Sequence, residues 1–163
     1  MHIFFLLASA VILAYLTTTD LRFRRLPNRW VVVLAVLYPV HALLAPQTGW
    51  PVVGWHVLTG LLAFVLLFIL YVLGAMGGGD VKLGAAVYLW AGPALALPVT
   101  VIVAWLGGLL AIAGWLVDRP GLQRFTNRPW RSMSNALSAR RGVPYGVALA
   151  VGGLFVLWRH VPL

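Results

Sequence analysis

Apolar residues run along this chain in long blocks, cut by short polar or glycine-proline breaks. The blocks fall at roughly 2–19, 30–45, 51–73, 81–96, 98–117 and 143–161. Helices on the surface of a water-soluble domain confine apolar side chains to one stripe. These blocks carry them on every side, as a helix surrounded by lipid and other helices does. A bilayer core of about 30 Å takes about 20 such residues per helix. The pattern therefore predicts an all-α polytopic membrane protein of about six transmembrane helices. The stretch 83–117 is almost continuously apolar, and at about 1.5 Å per residue it would run about 52 Å as one rod. The Gly92-Pro93 and Pro98 breaks place a tight hairpin within 92–98, with a short first arm.

Composition supports the same class. The chain is 62% hydrophobic and 9% charged, against about 45–50% and about 25% for soluble domains. No polar stretch is long enough for a separate soluble domain, so residues 1–163 read as one membrane-embedded domain. Its longest polar segment, 118–142, is a basic loop within that domain. The opening "MHIFFLLASAVILAYLTTTD" contains an "ASA", but no Lys or Arg precedes the apolar run and the run continues past it. It reads as a retained first helix rather than a cleaved leader.

Charge then orients the bundle. Arg22, Arg24, Arg25 and Arg29 follow the first block, Lys82 the third, and Arg119, Arg124, Arg128, Arg131, Arg140 and Arg141 the fifth, which puts eleven of the twelve basic residues on one side. By the positive-inside rule these loops are cytoplasmic and both termini lie outside. The net charge of +9 thus sets topology, and the six-arginine loop also suits anionic headgroups or a partner protein. Nucleic acid is not expected as a partner, since no folded recognition module accompanies the basic residues. Trp30, Trp50, Trp55, Trp90, Trp115 and Trp158 fall near block ends, as interfacial anchors do. The spacings Gly74/Gly78 and Ala104/Gly108 suit close helix packing. His2, His41, His56 and His160 fall on the outer half without metal-ligand spacing and read as interfacial polar groups. No metal site is expected, and the absence of cysteine removes thiol chemistry, disulfides and cysteine-ligated metal.

Only three carboxylates remain: Asp20, Asp80 and Asp118, all near the basic face. Asp20 closes the first block and Asp80 opens the fourth, so a bundle that packs those helices together brings two carboxyls to one depth. Two carboxyls within a few ångströms share a proton. The ionised partner then takes a proton from water while the protonated one polarises a peptide carbonyl. Each has a plainer reading beside this. Asp20 suits an interfacial ion pair with Arg22, Arg24 or Arg25, and Asp80 suits a helix N-cap. Asp118, in "DRPG", reads as a turn at a helix end. "GAMGGGDVKL" at 74–83 is neither a P-loop nor a dinucleotide fingerprint. Its glycines let another backbone lie close to the acid.

Three segments together resemble a known family. "GGGDVKL" at 77–83 contains G-x-G-D, "TTTDLRFRRLPN" at 17–28 sets an Asp before a basic loop and Leu-Pro-Asn, and "GVPYGVALAVGG" opens the last block with Pro-aromatic-Gly. In their order along the chain, 17–28, 77–83 and then the last block, and with six spans, they resemble the type IV prepilin peptidases, membrane aspartyl proteases of the G-x-G-D type. The resemblance covers the whole chain. It implies an aspartic endopeptidase, working without a cofactor, that removes the leader of prepilins and pilin-like proteins at the cytoplasmic face of the bacterial inner membrane. Asp20 and Asp80 would form the dyad. Gly77, Gly78 and Gly79 would shape the loop, and Pro27, Asn28, Lys82, Pro144, Tyr145 and Gly146 would support it. Tyr145 would either donate a hydrogen bond near the dyad or anchor the last helix. Prepilin and pilin-like substrates, membrane lipid and the pilus assembly machinery are the partners implied. The chain has no cysteine and begins directly with a helix, which matches the short, peptidase-only members of Flp (tight-adherence) pilus systems; N-methyltransferase activity is not expected. An alternative is a non-catalytic scaffold or small transporter that uses the aspartates structurally, although the chain lacks the similar halves a transporter would show.

Overall fold

The computed structural model describes residues 2–44, 49–118 and 144–161, so most of the basic segment 118–142 lies outside the described residues. All the described secondary structure is helical: α1 (His2–Phe23), α2 (Asn28–Leu44), α3 (Trp50–Val72), α4 (Gly78–Val117) and α5 (Tyr145–Arg159). Three of these, α1, α3 and α4, are long and apolar enough to cross a membrane. Many of their large apolar side chains face outward, among them Leu61, Leu62, Val65, Leu66 and Ile69 on α3. Water would make such a surface costly, and lipid does not.

Helix α4 is two arms joined at Gly92. This residue has φ 60° and ψ −174°, a region essentially confined to glycine. Pro93 follows directly, where its missing N–H costs nothing at the start of a new helix. The second arm thus begins at 93, and Pro98 lies inside it, which narrows the hairpin expected over 92–98. Contacts across the break show that the chain reverses. The Tyr88 hydroxyl meets Thr100 Oγ1 at 2.6 Å. The neighbouring α5 residues Gly152 and Gly153 face Val99 and Val103 of one arm and Val87 of the other.

The first arm, 78–91, forms the centre of the bundle. Val81, Leu83, Ala86, Val87, Trp90 and Ala91 on it are all buried. Helices α2, α3 and α5 pack against α4, and α1 packs against α2 and α5. Glycine permits the closest crossings. A Cβ on Gly60 would lie 3.1 Å from Ala85 O, and one on Gly153 would lie 2.8 Å from a Leu13 methyl. The spacings singled out from the sequence are not the packing ones: Gly108 has nothing within 4 Å, nor does Gly74. Gly74 instead ends α3 at φ 74°. There Ala75 N–H donates to Leu70 O and Gly74 N–H to Tyr71 O, both at 2.9 Å, the pair of bonds that closes a helix C-terminus.

The far end of the core corrects two expectations. Trp90 is not an interfacial anchor: it is 2% exposed, and its indole N–H donates to Leu34 O at 2.8 Å. His41 is buried and lies 5.5 Å from the Trp90 ring. His56 stacks on Tyr38 at 4.8 Å, bonds Leu89 O through Nδ1 at 3.0 Å, and occupies the space beside Gly92 that a side chain there would need. Trp50, Trp55, Trp115 and Trp158 are exposed, as anchors should be.

Candidate active site

Asp20 lies in the last turn of α1. The three threonines before it bond back to carbonyls of their own helix, Thr17 to Leu13 O, Thr18 to Tyr15 O and Thr19 to Leu16 O at 2.7–2.9 Å. They are satisfied locally and leave Asp20 as the turn's chemical group. Its side chain is only 6% exposed. Asp80 lies in the first turn of α4, three residues past the N-cap Gly77. It is therefore not the N-cap itself. Its carboxyl reaches back to the Gly77 N–H, as an acidic residue at the third helical position does in a capping box.

The two aspartates are brought together by α5. Pro144 is the N-cap of this helix, so the N–H groups at the start of its first turn lack intrahelical acceptors, while Val147 N–H also donates to Pro144 O at 3.2 Å. The N–H of Gly146 acts on both carboxyls, and that of Val147 acts on Asp20. Gly146 has to lack a side chain, because a Cβ there would lie 2.6 Å from Asp20 Oδ2. The positive end of the helix dipole points at the pair. Asp20 and Asp80 lie close enough for their charges to interact, and the Arg24 guanidinium acts on both. One oxygen of each carboxyl, Asp20 Oδ2 and Asp80 Oδ1, is buried with no hydrogen-bond partner among the described residues.

The supporting residues sort into distinct places. In the triple glycine, Gly77 leaves room for the Asp80 carboxyl, Gly78 faces the Tyr71 ring, and Gly79 faces Leu26, whose Cβ would be 3.2 Å from an added Cβ. The last contact holds the 24–28 loop against the start of α4. Pro27 O accepts from Trp30 N–H at 3.1 Å and so starts α2. Asn28 and Lys82 meet each other, Lys82 Nζ donating to Asn28 Oδ1 at 3.2 Å, on a face of α4 turned away from the carboxyls. The Tyr145 ring lies against Gly107, 3.1 Å from where a Cβ would be, so it anchors α5 to the second arm of α4.

Sequence reasoning named Arg24 only as one of three candidate ion-pair partners of Asp20, and it missed Val147. The Arg24 backbone sets it apart: φ is 51°, the only positive φ at a non-glycine residue among those described. Its N–H closes onto Asp20 O at 2.9 Å, which turns the chain sharply out of α1. Val147 carries no sequence signal, because it acts through its backbone.

The type IV leader peptidase family matches residues 7–112, which include both aspartates and the glycine loop. The chain belongs to that family. No curated protein and no solved structure matches it. The match identifies a membrane protease of the leader-peptidase kind. It stops short of Pro144, Tyr145 and Gly146, so the contribution of α5 to this leader peptidase's site rests on the geometry described above.

Proposed function

We propose that this chain is an aspartic endopeptidase that cleaves the leader from type IV or Flp-type prepilins and pilin-like proteins. It acts at the cytoplasmic face of the bacterial inner membrane, with Asp20 and Asp80 as its catalytic pair. The observation that carries this reading is the convergence of two carboxyls, from helices 60 residues apart, on the Gly146 N–H. Burial makes an ionised carboxylate costly, and two side by side are costlier, so the pair favours holding one proton between them. The ionised member takes a proton from water as that water attacks the scissile carbonyl. The protonated member donates its proton to the carbonyl oxygen; as the resulting gem-diol collapses, the first member gives the proton it took from water to the leaving nitrogen and the second takes a proton back from a gem-diol hydroxyl. No covalent enzyme intermediate forms.

The proposed topology has six spans, the two arms of α4 counting separately, with both termini outside. The first arm is short, at about 21 Å, and its burial among α2, α3 and α5 supports its place inside the bundle rather than against lipid. Asp20, Asp80 and the start of α5 then share the rim facing the basic loops. That is where the junction between a polar leader and an apolar helix would stand while the helix stays in the membrane. Prepilin leaders are basic and so is this face, so the acidic pair and extended backbone contacts along the glycine loop would provide recognition.

The test is cleavage of a co-expressed Flp prepilin in membranes, followed by gel shift and N-terminal sequencing. Asp20→Asn and Asp80→Asn are expected to abolish processing at unchanged protein level, while Asp118→Asn retains it. Equal processing by all three variants would assign the aspartates a structural role.

A further inference from the structure

A second feature lies on the opposite side of the first α4 arm from the carboxyls. Helices α2 and α3 both pack on α4 and touch each other where His56 stacks on Tyr38. Between them is an open groove of about 540 Å³, floored by Ala86 and Leu89 and walled by Val32, Leu61 and Phe64. Volumes of about 300–1,000 Å³ are typical of sites for small organic molecules. Its walls are apolar along the length of the helices. Its polar groups, Asn28 and Lys82, lie together at the end nearest the first turns of α2 and α4.

The chemistry of that end is one-sided. Lys82 Nζ donates to Asn28 Oδ1, which engages one of the two lone pairs of the amide oxygen. What remains is mostly donors, the amide NH₂ and the other ammonium hydrogens, beside the one remaining lone pair of the amide oxygen. Among the described residues, no Asp or Glu lines the groove. An apolar channel in a lipid-facing surface, ending in a cationic cluster of donors, complements an acyl chain whose headgroup is anionic and rich in acceptors. A basic peptide segment at the same end would meet like charge. We propose that this groove is a binding site for an anionic glycerophospholipid, its chain along α2, α3 and α4 and its phosphate on Lys82 and Asn28. The proposal goes beyond the protease reading and depends only on the chain's being in a membrane.

The test is equilibrium binding to the purified full chain in detergent, by native mass spectrometry, of phosphatidylglycerol and phosphatidylcholine with identical acyl chains. The native chain is expected to bind phosphatidylglycerol about fivefold more tightly, the contribution of one lysine at a headgroup. Lys82→Gln is expected to bring phosphatidylglycerol down to the phosphatidylcholine level while phosphatidylcholine binding holds. Ala35→Trp, which fills the groove from α2, is expected to weaken both at least tenfold while Tm is kept. Glycerol phosphate without chains is expected not to compete. Equal affinity of the native chain for the two lipids, a preference that survives Lys82→Gln, or binding that survives Ala35→Trp would each overturn the assignment. So would displacement of phosphatidylglycerol by an apolar helical peptide at equal affinity for the two lipids, which would give the groove to a protein helix.

Discussion

At the scale of single residues, Gly146 carries the sharpest demand. Its backbone is ordinary helix, and alanine would be the better helix former there. The obstacle is Asp20, whose Oδ2 would lie 2.6 Å from the new methyl. Gly146→Ala is therefore expected to displace the carboxyl and lower prepilin cleavage about a hundredfold, the scale of a misplacement of about 1 Å. Gly108→Ala, with nothing within 4 Å, should leave cleavage intact and match or slightly raise Tm. Asparagine at position 20 or 80 keeps shape and removes acid–base capacity, so losses of about 10²-fold or more are expected with little change in Tm. Arg24 separates charge from backbone. Glycine relieves its positive φ, so Arg24→Gly should hold or raise Tm while lowering cleavage about tenfold, and Arg24→Lys should restore part of the activity. A fall in Tm parallel to activity would assign Arg24 to folding alone.

At the scale of elements, the break in α4 decides where both of its arms point. Without it, the helix of 40 residues would extend about 60 Å, and α5 could not lie against both arms. Gly92 meets two demands, a positive φ and space for the His56 ring. Gly92→Ala is expected to destabilise by about 2 kcal/mol or more, from the left-handed backbone and the displaced imidazole together. Adding His56→Ala should recover only part of that loss, because it relieves the contact and not the backbone. Thermal unfolding in detergent checks both. Full recovery in the double variant would locate the whole cost in the side-chain contact.

For the whole molecule, the proposed topology is open to direct labelling, because the chain has no cysteine of its own. A single cysteine at Gly49, before α3, is expected to react with an impermeant maleimide from outside intact cells. One at Ala75, between α3 and α4, should react only after permeabilisation. The reverse pattern would invert the bundle and put Asp20 and Asp80 at the outer rim. The exposed apolar faces of α3 and the buried first arm of α4 are features of the bundle rather than of either helix. Hydropathy shows both as the same kind of apolar run. Which one faces lipid depends on who its neighbours are.

The sequence by itself determined the all-α membrane class and the family, and it singled out Asp20 and Asp80 as the candidate pair. These follow from signals that need no third dimension: apolar run length, the segregation of basic residues, and rare acids in distinctive local company. Tertiary structure alone decided that α5 brings its first-turn N–H groups to both carboxyls, that Arg24 faces them, and that Asn28 and Lys82 bond to each other away from the pair. It also decided that Trp90 and His41 are core residues and that Gly60, Gly146 and Gly153, rather than Gly74 or Gly108, mark the close approaches. The reason is physical. A backbone N–H is the same group in every residue but proline, so only its position can make it functional. A glycine becomes necessary only where something else occupies the space of its missing side chain, and no pattern along one chain records what packs across from it.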